Sequence, residues 1–107
     1  MGHVATSSWS VADMELLSRT LKAIAHPSRI AILEMLEREG KMTVTDIYTR
    51  LNSDQSSVSH HLSILRSRGI VGQDRQGRYI YYFLDTRAYV SLFNCLTDIQ
   101  SPSPAYY

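Results

Sequence analysis

Gln55, Ser56, Ser59 and His60 are the residues of this chain whose types and spacing suggest chemistry. They lie opposite Val58, Leu62 and Leu65, which fall at i, i+4 and i+7 and predict one apolar stripe of an α-helix. A helix made only for solubility would carry Glu and Lys on its outer side. Short hydroxyl and amide groups with almost no charge suit an approach to something dense in donors and acceptors, such as base edges and phosphates. The spacing therefore predicts hydrogen-bonded recognition. Asp54 is a good N-cap for this helix, Arg66 and Arg68 sit in its last turn where cations favour the dipole, and Gly69 suits the C′ position. An ordinary core helix with a serine-rich outer face has a similar pattern, so the flanking elements decide.

Other chemistries find little support. There is no nucleophile–base–acid set and no Gly-rich phosphate loop, so an enzyme is not expected. The residues able to bind a metal are His3, His26, His60, His61 and Cys95. Adjacent histidines on one helix diverge by about 100° and cannot easily share an ion. No metal or cofactor is expected. The single cysteine excludes an intramolecular disulfide and reads as a small buried residue in a last helix.

The 107 residues fit one domain, and the net charge of +1 carries no global basic signal. The distribution says more. Lys41, Arg50, Arg66, Arg68, Arg75, Arg78 and Arg87 outweigh Asp46, Asp54, Asp74 and Asp85, a local net of +3 over residues 41–87, against −1 over residues 1–40. The basic excess surrounds the serine-rich helix and the stretch C-terminal to it. No apolar run approaches the ~20 residues of a membrane span, and no signal peptide is visible, so no membrane partner and a cytoplasmic location are expected.

Several elements must position these residues. Ser10 begins a helix to Ala25 with Asp13 three residues on, and Val11, Met14, Leu17, Leu21 and Ile24 keep its period. Pro27 starts a second helix running to Glu39 and stopped by Gly40, with Ile30, Leu33 and Leu36 as its buried face, widened by Ile32 and Met35. Thr43 caps a third, shorter helix with Asp46 three residues on; Ile47 and Leu51 point inward. Asn52-Ser53 makes a turn before the polar-faced helix, which gives a helix-turn-helix. From Ile70 the period changes. Ile70-Val71 opens a strand, and Ile80, Tyr82 and Leu84 alternate with Tyr79, Tyr81 and Phe83 in its partner. Asp74 to Arg78 forms the turn of a hairpin whose basic tip projects as a wing. Asp85 or Thr86 caps a last helix lined by Tyr89, Leu92, Phe93, Leu96 and Ile99. The expected fold is mainly α with a two-stranded β-wing, a winged helix-turn-helix of about five helices in the order α-α-α-α-β-β-α. Residues 10–99 form this domain, 1–9 an N-terminal arm and 100–107 a C-terminal tail.

Three stretches in the right order carry a family resemblance. His26-Pro27-Ser28-Arg29-Ile30, then Gln55-Ser56-Ser57-Val58-Ser59-His60-His61-Leu62 with Leu65-Arg66 and Gly69-Ile70-Val71, and finally Gly77-Arg78 with Tyr81-Tyr82 and Leu84, resemble the ArsR/SmtB family of winged-helix repressors over about residues 12–99. The resemblance implies a homodimer that binds double-stranded DNA at an imperfect inverted repeat. It implies DNA contacts from Gln55, Ser56, Ser59 and His60 on the helix, with Ser57 and Arg66 beside them, and the projecting basic tip itself puts Arg75 and Arg78 of the wing in reach of phosphates or the minor groove. It also implies a dimer interface of Met14, Leu17 and Leu21 with Tyr89, Leu92, Phe93 and Leu96. His61, on a different face, is expected to be structural. The family's metal motifs are absent. The third-helix Leu-Cys-Val-Cys-Asp-Leu stands here as Met42-Thr43-Val44-Thr45-Asp46-Ile47, and the last-helix Asp-x-His as Asp85-Thr86-Arg87. Threonine hydroxyls are poor ligands for such metals. Phe83 replaces an arginine of the wing strand, and Ser53 an apolar staple, which predicts a looser turn. The reading is a sequence-specific DNA-binding repressor that is not a classical metal sensor and answers to an unidentified effector if to any. The alternatives are a winged helix used for protein–protein contact, and a repressor switched by a small molecule, a partner protein or oxidation of Cys95.

Overall fold

The computed structural model describes residues 10–87. Helix α1 (Val11–Ile24) opens on a reciprocal capping box, in which the Ser10 hydroxyl accepts from the Asp13 amide and the Asp13 carboxylate from the Ser10 amide. Helix α2 (Pro27–Glu39) starts at a proline whose missing N–H would have had no helical partner, and ends at Gly40, whose φ of 89° lies in the region glycine adopts without penalty. Strand β1 (Lys41–Thr43) comes directly after it, then helix α3 (Val44–Leu51), helix α4 (Gln55–Ser67), and strands β2 (Val71–Gln76) and β3 (Tyr79–Leu84).

The observed order among the described residues is therefore α-α-β-α-α-β-β, and the sheet has three antiparallel strands in the order β1-β3-β2. This corrects the two-stranded expectation. Lys41-Met42-Thr43 is too short to show a period, and becomes a strand by pairing with Phe83, Tyr82 and Tyr81. The hairpin turn is also tighter than expected. Gln76 pairs with Tyr79 and Arg75 with Ile80, leaving a two-residue connection at Gly77-Arg78. Gly77 has φ 66°, as the first position of a type II′ turn requires. Thr86 and Arg87 are helical, and the expected fifth helix otherwise lies outside the described residues, as does Cys95.

The core joins every layer. Ile32 and Leu36 of α2, Ile47 of α3, and Val58, Leu62 and Leu65 of α4 are almost wholly shielded from solvent, together with Ala23, Met35, Met42, Ile70 and Val71. Burying side chains of this size stabilises each by about 1.5–3 kcal/mol relative to exposure. The sequence pattern places Ile30 in this buried face, but it is 53% exposed. Ile30 and Ile32 lie about 200° apart around a helix. The helix turns Ile32, Met35 and Leu36 inward, so Ile30 faces out, while Leu33 packs at the margin. In the hairpin the predicted alternation holds in part, because Ile80, Tyr81 and Phe83 are all half-buried. Tyr82 and Leu84 pack against the core, and Tyr79 on the opposite face is 52% exposed.

Candidate nucleic-acid interface

The helix-turn-helix is α3 and α4 with the turn at Asn52-Ser53. Asn52 adopts a left-handed conformation, φ 54°, where asparagine is better tolerated than most residues. Its amide donates to the Thr49 carbonyl at 3.2 Å, and the Ser53 amide to Tyr48 at 3.0 Å. These bonds close the turn without an apolar staple at Ser53.

Asp54 caps α4. Its carboxylate accepts from the Ser57 amide at 3.0 Å and from the Ser57 hydroxyl at 2.8 Å. The backbone bond from Ser57, then its hydroxyl, hold the Asp54 carboxyl below the usual carboxylate range. At the far end the Gly69 amide donates to Arg66 and the Ile70 amide to Leu65, a Schellman closure with Gly69 at φ 71° and Leu65 and Ile70 buried together. Both ends of α4 are thus fixed, and Val58, Leu62 and Leu65 fasten its inner stripe to the core.

Gln55, Ser56, Ser57, Ser59, His60 and Arg66 are all exposed on α4, and the helix contains no acidic residue. Ser57 differs from its neighbours because its hydroxyl hydrogen is committed to Asp54. That leaves its lone pairs as acceptors and not its proton as a donor. Arg75 and Arg78 are exposed on the hairpin, in β2 and in the turn, and the Arg78 guanidinium lies 5.7 Å from the Tyr79 ring centroid.

Ion pairing sorts the basic residues of this half of the chain into two groups. Lys41 crosses the outer face of the sheet to Asp74 at 3.2 Å, passing 5.6 Å from the Tyr81 ring, and Asp74 also accepts from Gln76. Bonds from Gln76 and then Lys41 hold the Asp74 carboxyl low. Arg50 pairs with Glu39 at 2.9 Å and Arg87 with Asp85 at 2.9 Å. Among the described residues, Arg66, Arg68, Arg75 and Arg78 pair with no carboxylate, and all four belong to α4, the residue that ends it, or the hairpin. Within the modest +3 of residues 41–87, four guanidinium groups are thus free of described carboxylates, while Asp46 and Asp54 pair with no described cation; free guanidinium groups are the ones suited to phosphate.

Arg87 also grips Asp85 through two contacts, Nε to Oδ1 at 3.2 Å and Nη2 to Oδ2 at 2.9 Å. The carboxylate of the Asp85-Thr86-Arg87 stretch is therefore occupied by a guanidinium. Among the described residues no group of three or more His, Cys, Asp or Glu is arranged to hold a metal ion. Met14, Leu17 and Leu21 line a shallow apolar groove on α1 with Ser18, Lys22 and Ala25. Their expected partners Tyr89, Leu92, Phe93 and Leu96 lie outside the described residues.

One cluster behind the interface has no signal in the sequence. His61, partly buried, accepts at Nδ1 from Arg29 Nε at 3.1 Å, and Arg29 Nη1 donates to the Ala23 carbonyl at 3.1 Å. The His26 ring stands 4.6 Å from the His61 ring, centroid to centroid, and His60 at 6.0 Å. Burial first, then the neighbouring His26, Arg29 and His60, lowers the His61 pKa. The expectation that His61 is structural leaves its partner open. Arg29 is 32 residues away, and only folding brings the two together.

The model of the family described as "Bacterial regulatory protein, arsR family" matches residues 26–72, from the cap of α2 into β2. The transcriptional repressor SdpR of Bacillus subtilis is 40% identical over 70 residues, which cover 65% of this chain and 77% of SdpR. The chain belongs to the arsR family. It is a DNA-binding transcriptional regulator of the winged helix-turn-helix type. Another arsR-family relative, the HTH-type transcriptional regulator NmtR of Mycobacterium tuberculosis, is 47% identical over 68 residues, with 64% of this chain and 56% of NmtR covered, so the match spans little more than half of that protein. The crystal structure of NolR from Sinorhizobium fredii superposes with a TM-score of 0.68 at 31% identity, covering 82% of this chain and 87% of NolR. That of the repressor PagR of Bacillus anthracis gives 0.68 at 30% identity, with 80% and 99% covered. The family is one of regulatory proteins, and SdpR, NmtR and PagR are described as regulators or repressors, which supports a non-enzymatic role. No helix among the described residues is long and apolar enough to cross a membrane.

Proposed function

We propose that this arsR-family regulator is a homodimeric repressor. Each protomer sets α4 in the major groove of an inverted-repeat operator and its hairpin on the adjacent backbone. The observation that carries the reading is the coincidence of two surfaces. The outer face of α4 is acid-free, with Gln55, Ser56, Ser59 and His60 exposed, and the same half of the chain carries Arg66, Arg68, Arg75 and Arg78, all exposed and paired with no described carboxylate. The Gln55 amide and His60 imidazole supply base-edge hydrogen bonds, the Ser56 and Ser59 hydroxyls fix the DNA backbone, and Arg66, Arg75 and Arg78 neutralise phosphates. Ser57 contributes as an acceptor while it caps the helix.

Dimerisation is supported by α1. Val11, Met14, Leu16 and Leu21 are 72%, 50%, 60% and 40% exposed, a density of apolar surface unusual for a solvated helix. Pairing through Met14, Leu17 and Leu21, with Tyr89, Leu92, Phe93 and Leu96 on the other side, would cover it. Two recognition helices then meet half-sites about one helical turn apart. Residues 10–99 act as the DNA-binding and dimerising unit, flanked by 1–9 and 100–107, and the protein works in the cytoplasm. With the Cys-x-Cys threonine-substituted and Asp85 held by Arg87, the proposed repressor answers to a signal other than the family's metals, if to any.

The test is selection of duplexes from a random-sequence pool, followed by binding of Gln55→Ala and His60→Ala to every single-base variant of the selected site. A base-reading residue relaxes preference at one position in each half-site, by about 1–3 kcal/mol. Equal losses on selected and random DNA would show that neither residue reads bases.

A further inference from the structure

The Arg29–His61 contact joins elements with different duties. Arg29 projects from the first turn of α2. Its Nη1 caps the Ala23 carbonyl, one of the last-turn carbonyls of α1 that have no helical donor. Its Nε donates to Nδ1 of His61, on the side of α4 turned from the polar face. One guanidinium thus ties the end of the apolar helix α1 to the middle of the DNA-reading helix.

The bond specifies a protonation state. An imidazole nitrogen that accepts from Arg29 must carry a lone pair, so His61 is neutral with its hydrogen on Nε2. A protonated His61 would present an N–H to a guanidinium that is always charged. Among the described residues no carboxylate acts on His61 to compensate. The groups acting on His61 are Arg29 of α2, His26 at the cap of α2 and His60 of α4, all bases, and α1 offers the Ala23 carbonyl, which Arg29 already holds. His26 cannot take over, because its Nδ1 accepts from the Ser28 amide at 3.2 Å.

We propose that Arg29 is a positioning residue for DNA binding, a latch that holds α4 to the end of α1 through neutral His61 and opens when His61 is protonated. The inference rests on the DNA-binding reading of α4. It makes operator affinity fall as pH drops through the imidazole range.

The experiment separates the two histidines by working in a His60→Gln background. Three proteins are compared, the background alone, background plus His61→Asn, and background plus Arg29→Ala. His61→Asn offers an amide oxygen near the Nδ1 position but cannot titrate. Kd is measured at constant ionic strength on a labelled duplex selected by the wild-type protein, from about pH 7.5 to 5.5. The background protein is expected to lose about tenfold in affinity over that range, equivalent to ~1.4 kcal/mol. His61→Asn should have a nearly flat profile. Arg29→Ala should be weaker at pH 7.5 and equally flat. In parallel, imidazole ¹⁵N shifts should show His61 as the Nε2–H tautomer, and the Ala23 and Ile24 amide shifts should follow its titration unless Arg29 is replaced. The same pH dependence in all three proteins, or an Nδ1–H tautomer, would overturn the latch. Failure to select any duplex would count against the DNA reading instead, and the ¹⁵N measurement would still decide the latch.

Discussion

Removal of Arg78 is the perturbation whose size comes most directly from the structure. Arg78 sits in the two-residue turn of the hairpin, exposed and paired with no described carboxylate, whereas Lys41 on the same sheet is committed to Asp74 at 3.2 Å. Each neutralised phosphate contributes about 0.9 to the slope of log K against log salt. Arg78→Ala in a two-fold dimer removes two contacts, so the slope becomes shallower by about 1.8. Between ~50 and 200 mM salt that difference amounts to roughly one log unit, so the gap between wild type and variant closes by about tenfold. The loss should be similar on selected and random duplexes, because phosphate contacts carry no sequence information. Lys41→Ala is the internal control and should move the slope much less. Fluorescence anisotropy titrations at four or five salt concentrations read both numbers. An unchanged slope for Arg78→Ala, or an equal change for Lys41→Ala, would refute the sorting of cations into committed and available groups.

Packing and caps set other expected outcomes. Leu62→Ala removes a wholly buried side chain of α4 and should cost about 2–5 kcal/mol in chemical denaturation; a cost below that range would mean that α4 is not anchored as described. Gly72 lies beneath the Phe83 ring, and a Cβ there would stand 2.6 Å from its Cζ. Gly72→Ala should therefore destabilise by about 1–3 kcal/mol, and Phe83→Ala in the same chain should relieve most of that, which a double-mutant cycle measures. Because Asp54 is held below the usual carboxylate range, its cap contributes stability that is present above the unfolded carboxylate pKa and lost as pH falls through the lowered folded value. Asp54→Asn should flatten that part of the acid unfolding curve; an unaltered curve would show that the cap does not titrate with folding.

Features legible in the chain alone are local. The limits of α2 come from Pro27 and Gly40, and those of α4 from Asp54 and Gly69, because cap chemistry lies within a few residues of the end it fixes. The polar face of α4 needs only the spacing of Val58, Leu62 and Leu65. Features set by distant partners are not legible. Strand β1 exists because Met42 finds Tyr82, forty residues on. The outward turn of Ile30 depends on which side of α2 the other elements cover. Phe83 is legible only as a missing arginine, while the structure gives it a partner in Gly72. Charge counting finds the basic half of the chain, but not that Lys41, Arg50 and Arg87 are matched by carboxylates and the four other arginines there are not.

The central claim is that α4 and the hairpin together bind specific DNA. The direct measurement is binding of the purified wild-type protein to a selected duplex and to a scrambled duplex of the same composition, from ~50 to 200 mM salt. The expected result is two protomers per site, a steep salt slope and a preference of at least about a thousandfold for the selected sequence. Equal, weak binding to both duplexes would contradict it and direct attention to a protein partner for the same surface.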